Sequence, residues 1–178
     1  MLADPRNSRI VLINLARGDP GGTPARCAAR WQESRLLLPI AQELFGVTIH
    51  AVGDGPPADM LVGLAHSVTR LDVDALSLWR DQRFTASLRV PDTGVIFIGG
   101  AWLEEEVLFA ALEGVKLGYD VRVLVDLSLA RRQSDRTHVL DRLALHGVLP
   151  TTIRQVLLEW AVCLDDPILK QRVRELLA

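Results

Sequence analysis

The chain has 178 residues, 49% of them hydrophobic and 5% aromatic; that length suits one domain able to bury roughly 70% of its unfolded surface. Its 20 lysines and arginines stand against 22 aspartates and glutamates, a formal net charge of −2. That balance removes the diffuse electrostatic pull toward nucleic acid or an anionic membrane, and the scarcity of aromatics leaves no base-stacking surface.

Two cysteines, Cys27 and Cys163, cannot build a disulfide framework, and no Cys-x-x-Cys pair exists to hold zinc or cycle redox state. Polar residues follow the start at once, so no secretory leader is read there, and no apolar run approaches the ~20 residues of a membrane helix. The expectation is one soluble, cytoplasmic domain over 1–178, with no nucleic-acid or membrane partner.

In chain order, the first strand is predicted at Arg9 to Leu15 (RIVLINL). Helical spacing follows from about Pro24 to Phe45, ending at Gly46, with Pro39 expected to kink or split the helix. Val47 to Val52 (VTIHAV) is the second strand. The stretch from Gly53 to Val90 is harder to read: GDGPPAD is turn-rich, Met60 to His66 suggests a short helix, and Leu78 to Leu88 another. Val95 to Ile98 is a strand, Gly99-Gly100 a turn, and Leu103 to Leu117 a helix closed by Gly118. Val121 to Val125 is a fourth strand, interrupted by Arg122. Helices at Ser134 to His146 and from Thr152 to Cys163 follow, and Asp165 or Asp166 before Pro167 opens a last one.

Continuous apolar runs, rather than strict alternation, indicate strands covered on both faces. Strand alternating with helix gives an α/β fold, a three-layer α-β-α sandwich around a mainly parallel sheet. Ligands of such sheets bind beyond the carboxyl ends of the strands. That rule selects Asn14 to Arg17, Gly53 to Pro57, Gly99 to Glu106 and Asp126 to Arg131.

The third stretch is the most informative, because Gly99-Gly100 turns the backbone sharply into a helix start that carries Glu104, Glu105 and Glu106. Acidic residues in a first turn are stabilised by the helix dipole without any catalytic role. Gly99-Gly100-Ala101 is not G-x-G-x-x-G, and three carboxylates repel a pyrophosphate. His50, His66, His138 and His146 are scattered without metal-ligand spacing, so surface or capping roles are expected and no metal or cofactor is assigned. Ser128 has no G-x-S-x-G context. Cys163 falls in an apolar helical stretch and reads as a packed small hydrophobe; Cys27, between Arg26 and Arg30, is read as inert too.

The motifs nevertheless carry a likeness. The stretch IFIGGAWLEEEVLFAALEGVKLGYDVRVLVD, the later helix ending in glycine and the Thr151-Thr152 segment resemble the isochorismatase-like superfamily of cysteine hydrolases, nicotinamidases among them. RIVLINLARGD is similar to that family's first strand, and FGVTIHAVGDGPP with the tryptophan of LWRDQRF to a subgroup of bacterial hydrolases. The resemblance implies a parallel sheet between helix layers, a tendency to form homo-oligomers, and hydrolysis by a cysteine nucleophile with an aspartate, a lysine and backbone amides for the oxyanion.

Carried over residue by residue, the resemblance puts Glu106 where the cysteine stands, Asn14 where the aspartate stands and Leu103 where a threonine is common. The lysine should fall between Thr69 and Trp79, yet the chain's lysines are Lys116 and Lys170; Arg70 is the nearest cation. Glutamate supplies no thiolate, asparagine accepts no proton as a general base, and a guanidinium does not shuttle protons. The pocket is therefore expected to hold Asn14, Arg70, Gly100, Ala101, Trp102 and Glu106, with Glu106, Arg70 and Asn14 in one hydrogen-bonded cluster.

Three functions follow from this reading. One is a binding or oligomer subunit that has lost the hydrolase triad. Another is a hydrolase of a small amide, ester or vinyl ether that uses Glu106 with Glu105 or Asp126 as acid and base. The third is a sensor of a small carboxylic acid, held by Arg70 or by the amides near Ala101 and Trp102.

Overall fold

Among the described residues, six parallel strands form one sheet in the order β3-β2-β1-β4-β5-β6. The computed structural model describes residues 2–17, 25–54, 68–88 and 94–178, with side chains from residue 29 onward in the second of these stretches. The strands are β1 Ser8–Ile13, β2 Thr48–Val52, β3 Val68–Leu71, β4 Val95–Ala101, β5 Asp120–Leu129 and β6 Leu149–Thr151. The helices are α1 Ala25–Arg35, α2 Leu38–Phe45, α3 Gln82–Leu88, α4 Leu108–Lys116, α5 Arg136–Leu145, α6 Ile153–Cys163 and α7 Pro167–Leu177.

Every residue of β1 is buried, because helices cover both faces of the sheet. Ile10 and Leu12 join Phe97, Leu124, Trp31, Leu38 and Trp160 on the face of α1, α2, α6 and α7. Val11 and Ile13 join Ile96, Ile98, Phe84, Trp79 and Ala111 on the face of α3 and α4. This is the expected three-layer sandwich, and a parallel strand reads as an unbroken apolar run because each side has its own core.

The predicted helix from Pro24 to Phe45 is two helices: Gly46 ends α2 in the left-handed region at φ 65°, and Pro39 sits in that helix's first turn. There proline costs no hydrogen bond, so it marks a start rather than a kink. Thr152 and Gln155 cap α6 reciprocally, and Asp166 caps α7 with Pro167 behind it. Leu78 to Leu88 resolves into a 3-10 turn, Ala75–Arg80, followed by α3. The helix expected to start at Leu103 begins as a π turn, Leu103–Val107, before α4. The expected helix at Met60 to His66 lies outside the described residues.

Candidate functional site

The strand order reverses direction between β1 and β4, which leave toward opposite edges of the sheet. A crevice opens at such a switch point, beyond the carboxyl ends. Gly100 makes the approach possible. It pairs with Ile13 at φ +134°, and a Cβ there would lie 2.0 Å from the Ile13 carbonyl oxygen.

Asn14 follows β1 directly with φ 48°, a region that asparagine tolerates better than other side chains. Its Oδ1 accepts the Asp54 amide at 3.0 Å, tying the end of β1 to the turn after β2. Gly53 has φ +73°, and a Cβ on it would meet Asn14 Oδ1 at 2.1 Å. Asn14 is 2% exposed, and among the described residues its Nδ2 has no hydrogen-bond partner.

The π turn places three glutamates in three different environments. Glu104 accepts the Arg131 amide at 2.8 Å, and Glu105 pairs with the Arg131 guanidinium at 2.6 Å. Both fasten the β4–α4 junction to the loop after β5, where Arg131 also lies over the Trp102 ring at 4.9 Å. Glu106 turns inward and is 6% exposed. Arg17 Nη1 donates to its Oε1 at 2.6 Å, and the Trp102 amide donates to Oε2 at 3.4 Å. Arg17 also pairs with Asp54. Asp54 first and Glu106 second hold that guanidinium above the usual arginine range.

Asn14, Arg17, Asp54, Asp72, Asp74 and Glu106 are among the residues around a cleft of about 190 Å³. Asn14 and Glu106 thus line one cleft, and the cation that Glu106 meets there is Arg17. Arg70 lines a neighbouring depression with Ala51, Asp54 and Asp72 and, among the described residues, makes no contact with Glu106. It sits on edge strand β3 with its side chain exposed. Arg17 went unrecognised because it stands 89 residues from Glu106; only its position three residues past Asn14, at a strand end, pointed to it.

Gly100 and Ala101 are not wall residues of this cleft. Gly100 packs on β1, and Ala101 is buried in the α1-side core. The Ala101–Trp102 peptide bond is cis, and the Trp102 amide is taken up by the protein's own Glu106. Glu105 and Asp126 each meet a partner other than Glu106. Glu105 is spent on Arg131, and Asp126 accepts Ser34 Oγ at 2.8 Å and the Ile153 amide at 3.1 Å, on the other side of the sheet.

His138 and His146 are exposed, as expected of surface histidines, but His50 is 2% exposed. Among the described residues its ring nitrogens have no hydrogen-bond partner, and burial first, with the Arg9 charge second, lowers its pKa to about 4. Ser128 donates its hydroxyl to the Leu124 carbonyl. Cys163 is half-buried at the last residue of α6. His66 and the side chain of Cys27 lie outside the described residues. Among the described residues no group of three or more His, Cys, Asp or Glu is placed to hold a metal ion.

The fold is that of the isochorismatase-like cysteine hydrolases. The chain is similar to YcaC from Escherichia coli, described as an octameric hydrolase of unknown specificity, with a TM-score of 0.78 and 17% identity over 97% of this chain and 89% of that one. It is similar to MAR1 ribonuclease from Caenorhabditis elegans, with a TM-score of 0.81 and 18% identity over 99% and 92%. Pyrazinamidase from Pyrococcus horikoshii, solved with zinc, matches at a TM-score of 0.65 and 17% identity over 82% and 99%. No protein-family model and no curated protein matches the sequence. Among the described residues no helix is long and apolar enough to cross a membrane.

Proposed function

We propose that this chain is a cytoplasmic, isochorismatase-fold subunit whose thiol-hydrolase site is replaced by an internal ion-pair cluster, and that it acts by binding or by assembly rather than by acyl transfer. The observation that carries the reading is Glu106. It occupies the position that the resemblance gives to the nucleophile, and its two oxygens are held by Arg17 and by the Trp102 amide. A carboxylate so held is neither an unencumbered nucleophile nor a base, and Asn14 opposite it takes no proton.

The test is hydrolysis by purified protein of nicotinamide, pyrazinamide, isochorismate and simple aryl esters, read beside a Glu106→Gln variant. The proposal expects no turnover above that of the variant. Turnover that Glu106→Gln removes would establish the carboxylate-based hydrolase instead.

Assembly is supported by apolar side chains left in solvent on the last two helices, Leu158 and Val162 on α6 and Ile168 and Leu176 on α7, and by the octamer described for YcaC. Light scattering is expected to give a mass above one chain. Replacing Val162 and Ile168 by lysine should lower that mass, and a monomer in both forms would overturn the assembly reading.

A further inference from the structure

The sheet face that α3 and α4 cover is apolar except for one patch near the start of β1. Arg9 is the second residue of β1 and is 8% exposed. In the ladder it stands beside Thr48 of β2 and Ile96 of β4. His50 lies two residues beyond Thr48, opposite Val11 and edge-on to Phe84 of α3. Successive strand residues alternate between faces, so Arg9, Thr48 and His50 share the side on which Val11, Val52 and Ile96 are packed. None of the three lines the Asn14–Glu106 cleft.

An unpaired charge is costly to take out of water, so a buried guanidinium ordinarily faces a carboxylate. Arg122, 6% exposed, follows that rule with Glu159 and Asp120. Arg9 does not. Among the described residues its hydrogen bond runs from Nη1 to the neutral Ser8 carbonyl at 2.7 Å, and it enters no ion pair. Burial lowers its pKa, where a neighbouring carboxylate would raise it. Both ring nitrogens of His50 are buried and lack a partner among the described residues. Burial and then the Arg9 charge lower the His50 pKa, so the two side chains are within electrostatic reach. Thr48, directly opposite Arg9, makes no side-chain hydrogen bond among the described residues. The patch therefore combines a positive charge, an imidazole and a hydroxyl with no negative charge.

We propose that Arg9, Thr48 and His50 form a binding site for one halide-sized monovalent anion, held by the guanidinium, the hydroxyl and an imidazole N–H. The ligand class follows from the charge and the surroundings. A water molecule, the usual partner of buried polar groups, would meet the ring nitrogens but leave the guanidinium unbalanced. A cation would meet the guanidinium itself. The side chains of Val11, Phe84 and Ile96 are fully buried on this face, and an organic acid would have to displace them.

Chloride NMR line broadening of the purified chain, titrated from gluconate into chloride at constant ionic strength, tests the assignment. Saturable excess broadening is expected, and bromide should compete it away. Arg9→Met should abolish it, and His50→Leu should weaken chloride about tenfold, the loss of one charge-assisted hydrogen bond. Melting curves in gluconate establish that each variant folds, and His50→Leu carries the comparison should Arg9→Met fail to do so. A crystal grown in bromide should show an anomalous peak in contact with Arg9 and His50. Broadening that rises without saturation, wild-type affinity in a folded variant, or a water rather than bromide beside Arg9 would each overturn the proposal.

Discussion

Acidification should weaken this fold through a single buried imidazole. His50 on β2 is 2% exposed, lies edge-on to Phe84 with ring centroids 6.3 Å apart, and among the described residues has no hydrogen bond to either nitrogen. Burial, and then the charge of Arg9, lowers its pKa from 6.5 to about 4. The folded state therefore keeps His50 neutral at pH values where the unfolded chain protonates it. Stability is complete above pH 6.5 and drains away as pH falls toward 4.

At 1.36 kcal/mol per unit the whole effect is about 3 kcal/mol, of which about 2 kcal/mol falls between pH 7 and pH 5. For a chain of this size the latter corresponds to roughly 4–8 °C in Tm. Acid acts on the whole chain and not on His50 alone, so the measurement is a comparison. Urea unfolding followed by circular dichroism at pH 7, 6 and 5 is run on the wild-type chain and on His50→Leu, which fills the same apolar space without a titrating group. The variant should lose about 2 kcal/mol less than wild type across that interval. Parallel losses in the two proteins would show that His50 takes its proton freely in the folded state, and the burial argument would fail.

Other parts of the molecule lend themselves to equally direct tests. Arg122, 6% exposed inside β5, holds Glu159 at 2.7 Å and Asp120 at 3.0 Å, and Glu159 also accepts the Ala3 amide. Arg122→Met leaves the half-buried Glu159 carboxylate without its cation and should cost about 2–3 kcal/mol in urea unfolding, whereas a loss below 1 kcal/mol would mean that the pair is solvent-screened. Gly100→Ala drives a methyl group into the β1 backbone; it should cost at least about 3 kcal/mol or prevent folding, and a melting temperature within 2 °C of wild type would contradict the close approach. Arg17→Met removes one partner of Glu106 but keeps most of the aliphatic stem. A double-mutant cycle with Glu106→Gln should give a coupling of about 1–2 kcal/mol, discounted for the half-exposed arginine, and zero coupling would remove the ion pair from the site.

Much of the architecture was legible from composition and spacing alone. β1, β2, β4 and β5 are apolar runs because each lies between two helix layers, and a strand buried on both faces has no polar positions to disguise it. Helix ends were equally readable where the chemistry is local: Gly46 in the left-handed region, the start at Thr152, and an aspartate, Asp165 or Asp166, before Pro167, of which Asp166 is the cap. The edge strands were not. β3 exposes Thr69 and Arg70, and β6 is three residues with a proline in the middle. Such segments are strands only because a neighbour supplies the ladder.

The site divides in the same way. Asn14 and Glu106 could be placed because each sits a fixed number of residues from a strand or a glycine stop. The partner of Glu106 could not, since Arg17 and Arg70 are both arginines near strand ends and only the sheet order decides which one reaches the crevice. Arg122 read as an interruption of a strand, yet the fold surrounds it with Glu159 and Asp120 and makes it an anchor. Periodicity and capping act over a few residues and are written in the sequence. Pairing of charges across 37 to 89 positions exists only after the chain has folded, because burial determines which charges must meet.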